Sequence, residues 1–370
     1  MAGRRPRYAA LDSLRGLAAL SVVLSHIYRA LFGTKLGTAL APYLDRTPLQ
    51  VLVNGEGAVL LFFVLSGLVL ALSTDVATPL QIGAYYVRRV ARIWLPYVCA
   101  LLAFVVACQI TRGMLNGPYT VMNGSFALPF DLRSLLVHLS LIGSLNQYEY
   151  LGVSWSLVHE MRASLLFPLL LLALRGRAWV VTAASGLLLL LGGHALAVRY
   201  GEDQYSTGLI NTVYYVGLFV LGILVAQQRA TIMRLAATVP RVAVYAVLAL
   251  ALVLYEGNLL WPGDPLAPPI PFAEIAGCGL LVSVGLCLDD RDKILGNAVV
   301  RWLGRISYSL YLWHPLFVLV LYRTLNAVVG PVTLSALVLV CSLALATLGH
   351  RWIEIPAIAL GRRLSDRLRG

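Results

Sequence analysis

Ten stretches of about 20 mostly apolar residues divide this chain: roughly 11–33, 54–73, 94–111, 152–174, 178–198, 207–226, 241–256, 270–288, 305–324 and 332–352. Nothing constrains the fold more. A bilayer core offers no water to backbone N–H and C=O groups, so a segment that crosses it must satisfy them internally, as an α-helix does. The pattern predicts an all-α polytopic membrane protein of about ten transmembrane helices. The stretch around 134–147 is too short to span and reads as an interfacial or re-entrant helix. Of the 370 residues, 59% are hydrophobic and 12% charged, where a soluble domain is about a quarter charged. Little chain remains for a soluble domain. The first residues, MAGRRPRYAALD, do not open a cleavable signal peptide: the apolar run behind them is long enough to span.

The formal net charge of +12 is carried in short clusters between apolar runs. That is the footprint of membrane topology, and it argues against a nucleic-acid partner. With the N-terminus cytoplasmic, the inner segments hold 19 of the 29 basic residues, the outer segments hold 5, and the other five lie within or at the rim of spans. This positive-inside bias predicts an even number of spans with both termini cytoplasmic. The resulting division is a cytoplasmic tail over 1–10, a transmembrane domain over 11–352 and a basic cytoplasmic tail over 353–370. Pro-rich WPGDPLAPPIP (261–271) is an outer loop. The five cysteines have no CxxC spacing, so neither a zinc site nor a disulfide framework is expected.

Polar residues inside the spans carry the chemical information, because such groups are costly in hydrocarbon and usually line a cavity or a site. In LDSLRGLAALSVVLSH (11–26), Asp12, Arg15 and His26 break an apolar run. Eleven residues are three helical turns plus roughly 20°, so Arg15 and His26 share one face, about 16 Å apart along the axis. Small residues, Ala19 and Val22, lie between them. Arg15 snorkelling to the interface and His26 bonded to a neighbouring carbonyl is the structural alternative. VSWSLVHEMRASLLFP (153–168) places His159, Glu160 and Arg162 in the outer half of the fourth span, where an ion pair from Glu160 to another helix would be purely structural. LGRISYSLYLWHP (303–315) sets Ser307, Tyr311 and His314 at i, i+4 and i+7 on one face, with His314 at a depth similar to His26. For His314, capping of backbone groups freed by Pro315 is the competing explanation. His138, His194 and His350 lie near interfaces and carry no assignment. YYVRRVARIWLP (85–96) clusters Arg88, Arg89 and Arg92, either as a topology signal or as guanidinium groups suited to a polyphosphate.

Six of these elements, taken in order, resemble acyltransferase family 3, a family of integral membrane proteins. LDSLRGLAALSVVLSH matches its Arg-x10-His opening at Arg15 and His26, and FFVLSG (62–67) its second-span motif. RRVARIWLP (88–96) resembles its RxxR loop at Arg89 and Arg92. WSLVHE (155–160) resembles its fourth motif at Trp155, Ser156 and Glu160. ISYSLYLWHPL (306–316) and IEIP (353–356) match its late and closing motifs. The likeness runs from about residue 8 to 363. Two departures stand out. The fourth motif lacks the family's second acid and aromatic pair, reading Met161, Ala163 and Ser164, and with about 17 residues after the last span the C-terminal hydrolase-like domain of many members is not expected.

The resemblance implies O-acyl transfer, usually of acetyl, from cytoplasmic acetyl-CoA to a hydroxyl of a glycan, lipid-linked sugar or small molecule, in a bacterial inner membrane, with no metal. Joined to the residue reading, it places the acyl-CoA phosphates on Arg89 and Arg92, with Arg88 nearby, and the pantetheine arm along the face from Arg15 to His26. His26 then acts as general base or as acyl carrier. Glu160 would orient the acceptor or His26, and Tyr311 would donate to the developing oxyanion. Trp155, Ser156 and His314 would contact substrate. A secondary transporter also has many spans and buried ionisable groups, but usually shows repeated halves, and no such repeat is visible. A non-catalytic component of envelope polysaccharide assembly is the third possibility. Neither the acceptor nor the oligomeric state can be read from the sequence.

Overall fold

In the computed structural model, residues 9–111, 114, 130–145, 150–202, 205–257, 270–288 and 292–368 are described. The basic tail at 1–8, most of the 112–133 loop and the Pro-rich stretch 261–269 lie outside the described residues. Each predicted apolar stretch is helical, and no strand occurs among the described residues. The helices are α1 (Ala9–Ala30), α2 (Lys35–Leu44), α3 (Gly55–Ser73), α4 (Pro79–Ile110), α5 (Leu132–Ser140), α6 (Ser154–Leu174), α7 (Trp179–Tyr200), α8 (Leu209–Thr238), α9 (Arg241–Tyr255), α10 (Ile270–Cys287), α11 (Ala298–Thr324), α12 (Pro331–Gly349) and α13 (Ile355–Arg367). A π-helical turn, His350–Glu354, joins the last two.

Seven helices among the described residues are long and apolar enough to cross a membrane, with α12, the π turn and α13 forming one continuous run. Helices α9 and α10 are apolar but shorter. Helix α11 is 27 residues long, but Arg301, Arg305, His314 and Arg323 lower its hydropathy. The outward faces carry exposed Leu169, Leu172, Leu188, Leu191 and Val340. Exposed apolar side chains of this kind, on helices long enough to span, belong against lipid. Helix α5, nine residues long, is too short to span. Asp131 caps it by accepting from Arg133 N and Ser134 N. These two backbone N–H bonds lower the Asp131 pKa, as expected for bonds to the charged form.

Two packing features position the site. Helix α1 lies against α11 with the backbones of Gly16 and Gly304 in contact. A Cβ at Gly16 would come within 2.4 Å of Gly304 N, and one at Gly304 within 2.4 Å of Asp12 O. Small residues that let helix backbones touch are the usual device for close packing in lipid. The second feature is α13, which continues beyond the π turn where the sequence suggests a tail. It packs on α4, with Gly361 against Ala91 and Arg88. Glu354, in the π turn, is buried and accepts from Ser309 Oγ (2.8 Å) and His350 Nδ1 (3.0 Å).

Candidate active site

The Gly16–Gly304 contact decides what lies ten residues further along both helices. His26 and His314 occur at the same sequence offset as the two glycines, so parallel helices that meet at Gly16 and Gly304 also meet at the two histidines. The rings lie 5.0 Å apart between centroids, with His314 Nε2 2.9 Å from His26 Nδ1.

The hydrogen-bond chemistry assigns the protons. His314 Nδ1 lies 3.0 Å from Leu310 O. A carbonyl only accepts, so neutral His314 carries its proton on Nδ1 and has a lone pair on Nε2. His26 Nδ1 therefore donates to that lone pair, and its 3.1 Å approach to Val22 O requires the same proton. His26 Nε2 keeps its lone pair and has no hydrogen-bond partner among the described residues.

A cavity opens toward the N-terminal end of α1. Its walls include Arg15, Ser66, Arg89, Arg92, Ser156, Glu160, Ser307 and Tyr311. The packing of neighbouring helices splits the basic cluster. Arg89 and Arg92 line the cavity, while Arg88 is turned toward α13 and donates to Ser365 Oγ at 3.3 Å. Glu160 is not beside His26. It accepts from Arg89 Nη2 at 2.6 Å, while Arg89 Nε donates to Ser164 Oγ at 2.9 Å. The carboxylate thus fixes one guanidinium on the cavity wall and leaves Arg15 and Arg92 facing the space.

Ser156 Oγ donates to Val153 O (3.1 Å) and shares a 2.5 Å hydrogen bond with the Tyr311 hydroxyl. The Tyr311 ring lies 6.1 Å from that of His314. It links the cavity wall to the histidine pair, although neither histidine belongs to the lining.

Trp155 faces elsewhere. With Glu56, Val59, His194, Glu202, Tyr205, Tyr214, Tyr215 and Glu274 it lines a second cavity at the other end of α1. There Arg29, one turn past His26, donates to Glu56 at 2.5 Å, and Tyr205 also donates to Glu56. Glu56 and Glu274 escape attention in the sequence. Yet both interrupt apolar runs, GEGAVLL and PFAEIAG, which is the signal that singles out Glu160.

His159 and Arg162 do not reach either cavity. Buried Arg162 donates to the carbonyls of Ile142 (3.0 Å), Gly143 (3.0 Å) and Thr207 (2.7 Å) and to Thr212 Oγ1 (2.8 Å). His159 bonds Thr212 Oγ1 and Ser206 O and stacks on Tyr215. These two side chains hold loops in place. Among the described residues no group of three or more His, Cys, Asp or Glu side chains could hold a metal ion.

A bundle of membrane-crossing helices enclosing an arginine-lined cavity beside a histidine pair defines an integral membrane protein equipped for group transfer. The chain belongs to acyltransferase family 3: the family's acyltransferase domain matches residues 8–351, nearly the whole length. The chain is also similar to a protein of Komagataeibacter xylinus provisionally named the membrane-bound transacylase BcsY. The two are 26% identical over 357 residues, covering 90% of this chain and 79% of the other. No solved structure matches the chain. The protein is a membrane acyltransferase.

Proposed function

We propose that the protein moves an acyl group, acetyl in the simplest case, from cytoplasmic acyl-CoA to a hydroxyl of a glycan, lipid-linked sugar or small molecule. It does so from a bacterial inner membrane, with ten spans and both termini cytoplasmic. The observation that carries the proposal is the juxtaposition of a three-arginine cavity with a histidine whose Nε2 lone pair is unengaged. Arg15 and Arg92, with Arg89 held by Glu160, receive the donor phosphates. The pantetheine arm follows α1 from Arg15 toward His26, about 16 Å on. His26 Nε2 takes the proton of the acceptor hydroxyl as its oxygen attacks the thioester carbonyl. The Tyr311 hydroxyl, released from Ser156, donates to the carbonyl oxygen as it becomes anionic. Collapse expels the CoA thiolate, which takes the proton back from His26. An ester and free CoA thiol are the products.

In the protonated intermediate His26 Nδ1 donates to His314, which holds the ring as a carboxylate does in a hydrolase triad. Trp155 and Ser156 stand where the two cavities adjoin and contact the acceptor side. The test is release of CoA thiol by purified protein given acetyl-CoA and candidate acceptors. Acceptor-dependent release that is lost in His26→Ala supports the proposal. Counterflow of solute with no thiol released would instead identify a transporter.

A further inference from the structure

The second cavity has a composition of its own. It adjoins the first: Val59 lines both, as do neighbouring residues Trp155 and Ser156 of α6, one on each side. Helix α1 runs past both, with Arg15 in the first cavity and Arg29 holding Glu56 of the second, and His26 between them.

The walls combine carboxylates with aromatic rings. Trp155 packs edge-on against Tyr205 at 5.3 Å, and Tyr214 and Tyr215 complete that side. Arg29 neutralises Glu56. Glu202 accepts only from a neutral Ser206 hydroxyl, and Glu274 has no hydrogen-bond or ion-pair partner among the described residues. No Lys or Arg lines the cavity among those residues, and His194 Nε2 on its wall is also without a hydrogen-bond partner there. An ionised carboxylate in a low-dielectric space without a counter-ion is costly. A neutral polyol would leave that cost uncompensated. An ammonium group would offset it and find π faces as well.

We propose that this cavity binds the acyl acceptor and that the acceptor carries a positive charge, an ammonium or quaternary ammonium group, beside its reacting hydroxyl. The word acceptor rests on the acyl-transfer reading, whereas the binding of a cation does not.

The experiment therefore omits the acyl donor. Isothermal titration calorimetry on the full-length protein in detergent compares two matched pairs: glucosamine with glucose, and choline with the neutral isostere 3,3-dimethylbutan-1-ol. In at least one pair the ammonium member binds about tenfold tighter or more. That preference is lost in Glu274→Gln or, should that variant fail to fold, in Glu202→Gln. Equal affinity within both pairs, no binding by either ammonium compound, or an undiminished preference in both variants would overturn the proposal. Loss of acyl transfer in His26→Ala bears on the reaction and leaves this measurement untouched.

Discussion

A histidine in a membrane helix is useful as a base only if one nitrogen has a defined proton and the other a defined lone pair. The backbone supplies that definition here. Leu310 O fixes the His314 proton, which fixes the His26 proton, which leaves a lone pair on His26 Nε2. His26→Ala is expected to lower kcat by about 10²–10⁴-fold, the usual worth of a general base, without lowering the thermal midpoint by more than a few degrees. His314→Ala is expected to lower kcat by at least about tenfold, the scale on which a lost orienting partner is felt. His314→Gln, whose amide oxygen can accept from His26 Nδ1, is expected to recover part of that loss, and a pH–rate profile distinguishes misorientation from misfolding. Among the arginines, Arg92→Ala is the informative change. It is expected to raise the KM for acyl-CoA at unchanged stability, since Arg92 is not held by the Glu160 pair. Arg89→Ala confounds the two effects by stranding a carboxylate that Arg89 now neutralises.

At the level of elements, the site depends on one helix crossing. Gly304→Ala puts a methyl group where Asp12 O stands 2.4 Å away. The helices must separate, at a cost of about 1–3 kcal/mol, and the histidines ten residues on move apart with them. Activity is expected to fall further than the thermal midpoint shift alone explains. Gly192→Ala, in α7 with open space around it, is the control and should be neutral or slightly stabilising. Thermal unfolding and thiol release measured on both variants check this. Arg162 makes the complementary point about loops. Its hydrogen bonds tie residues 142–143 to 207–212. Arg162→Ala is expected to cost at least about 3 kcal/mol, the price of leaving buried carbonyls unpaired. Scored by unfolding, the damage should appear even in the absence of substrates.

For the whole molecule, the sequence by itself determined the helical class, the segments and the residues worth watching. Apolar length and backbone satisfaction leave a membrane chain few alternatives, so those features are local and readable. The intramembrane positions Arg15, Glu160 and His314 stand out for the same reason: a polar group in an apolar run is costly wherever it ends up. The tertiary structure decided their partners. Arg88, Arg89 and Arg92 look alike in the sequence, and only the packing of α13 and α6 around α4 sends one away from the cavity and binds another to Glu160. Glu56 and Glu274 lie more than 200 residues apart and become neighbours in one cavity only when α3 and α10 are packed together. The His26–His314 hydrogen bond is the plainest case. Helical periodicity placed each ring on a face and at a depth, but the meeting of the two faces required Gly16 and Gly304 to bring parallel backbones into contact. Single-segment periodicity contains no information about which helix lies opposite, because that is settled by steric fit between segments distant in the chain.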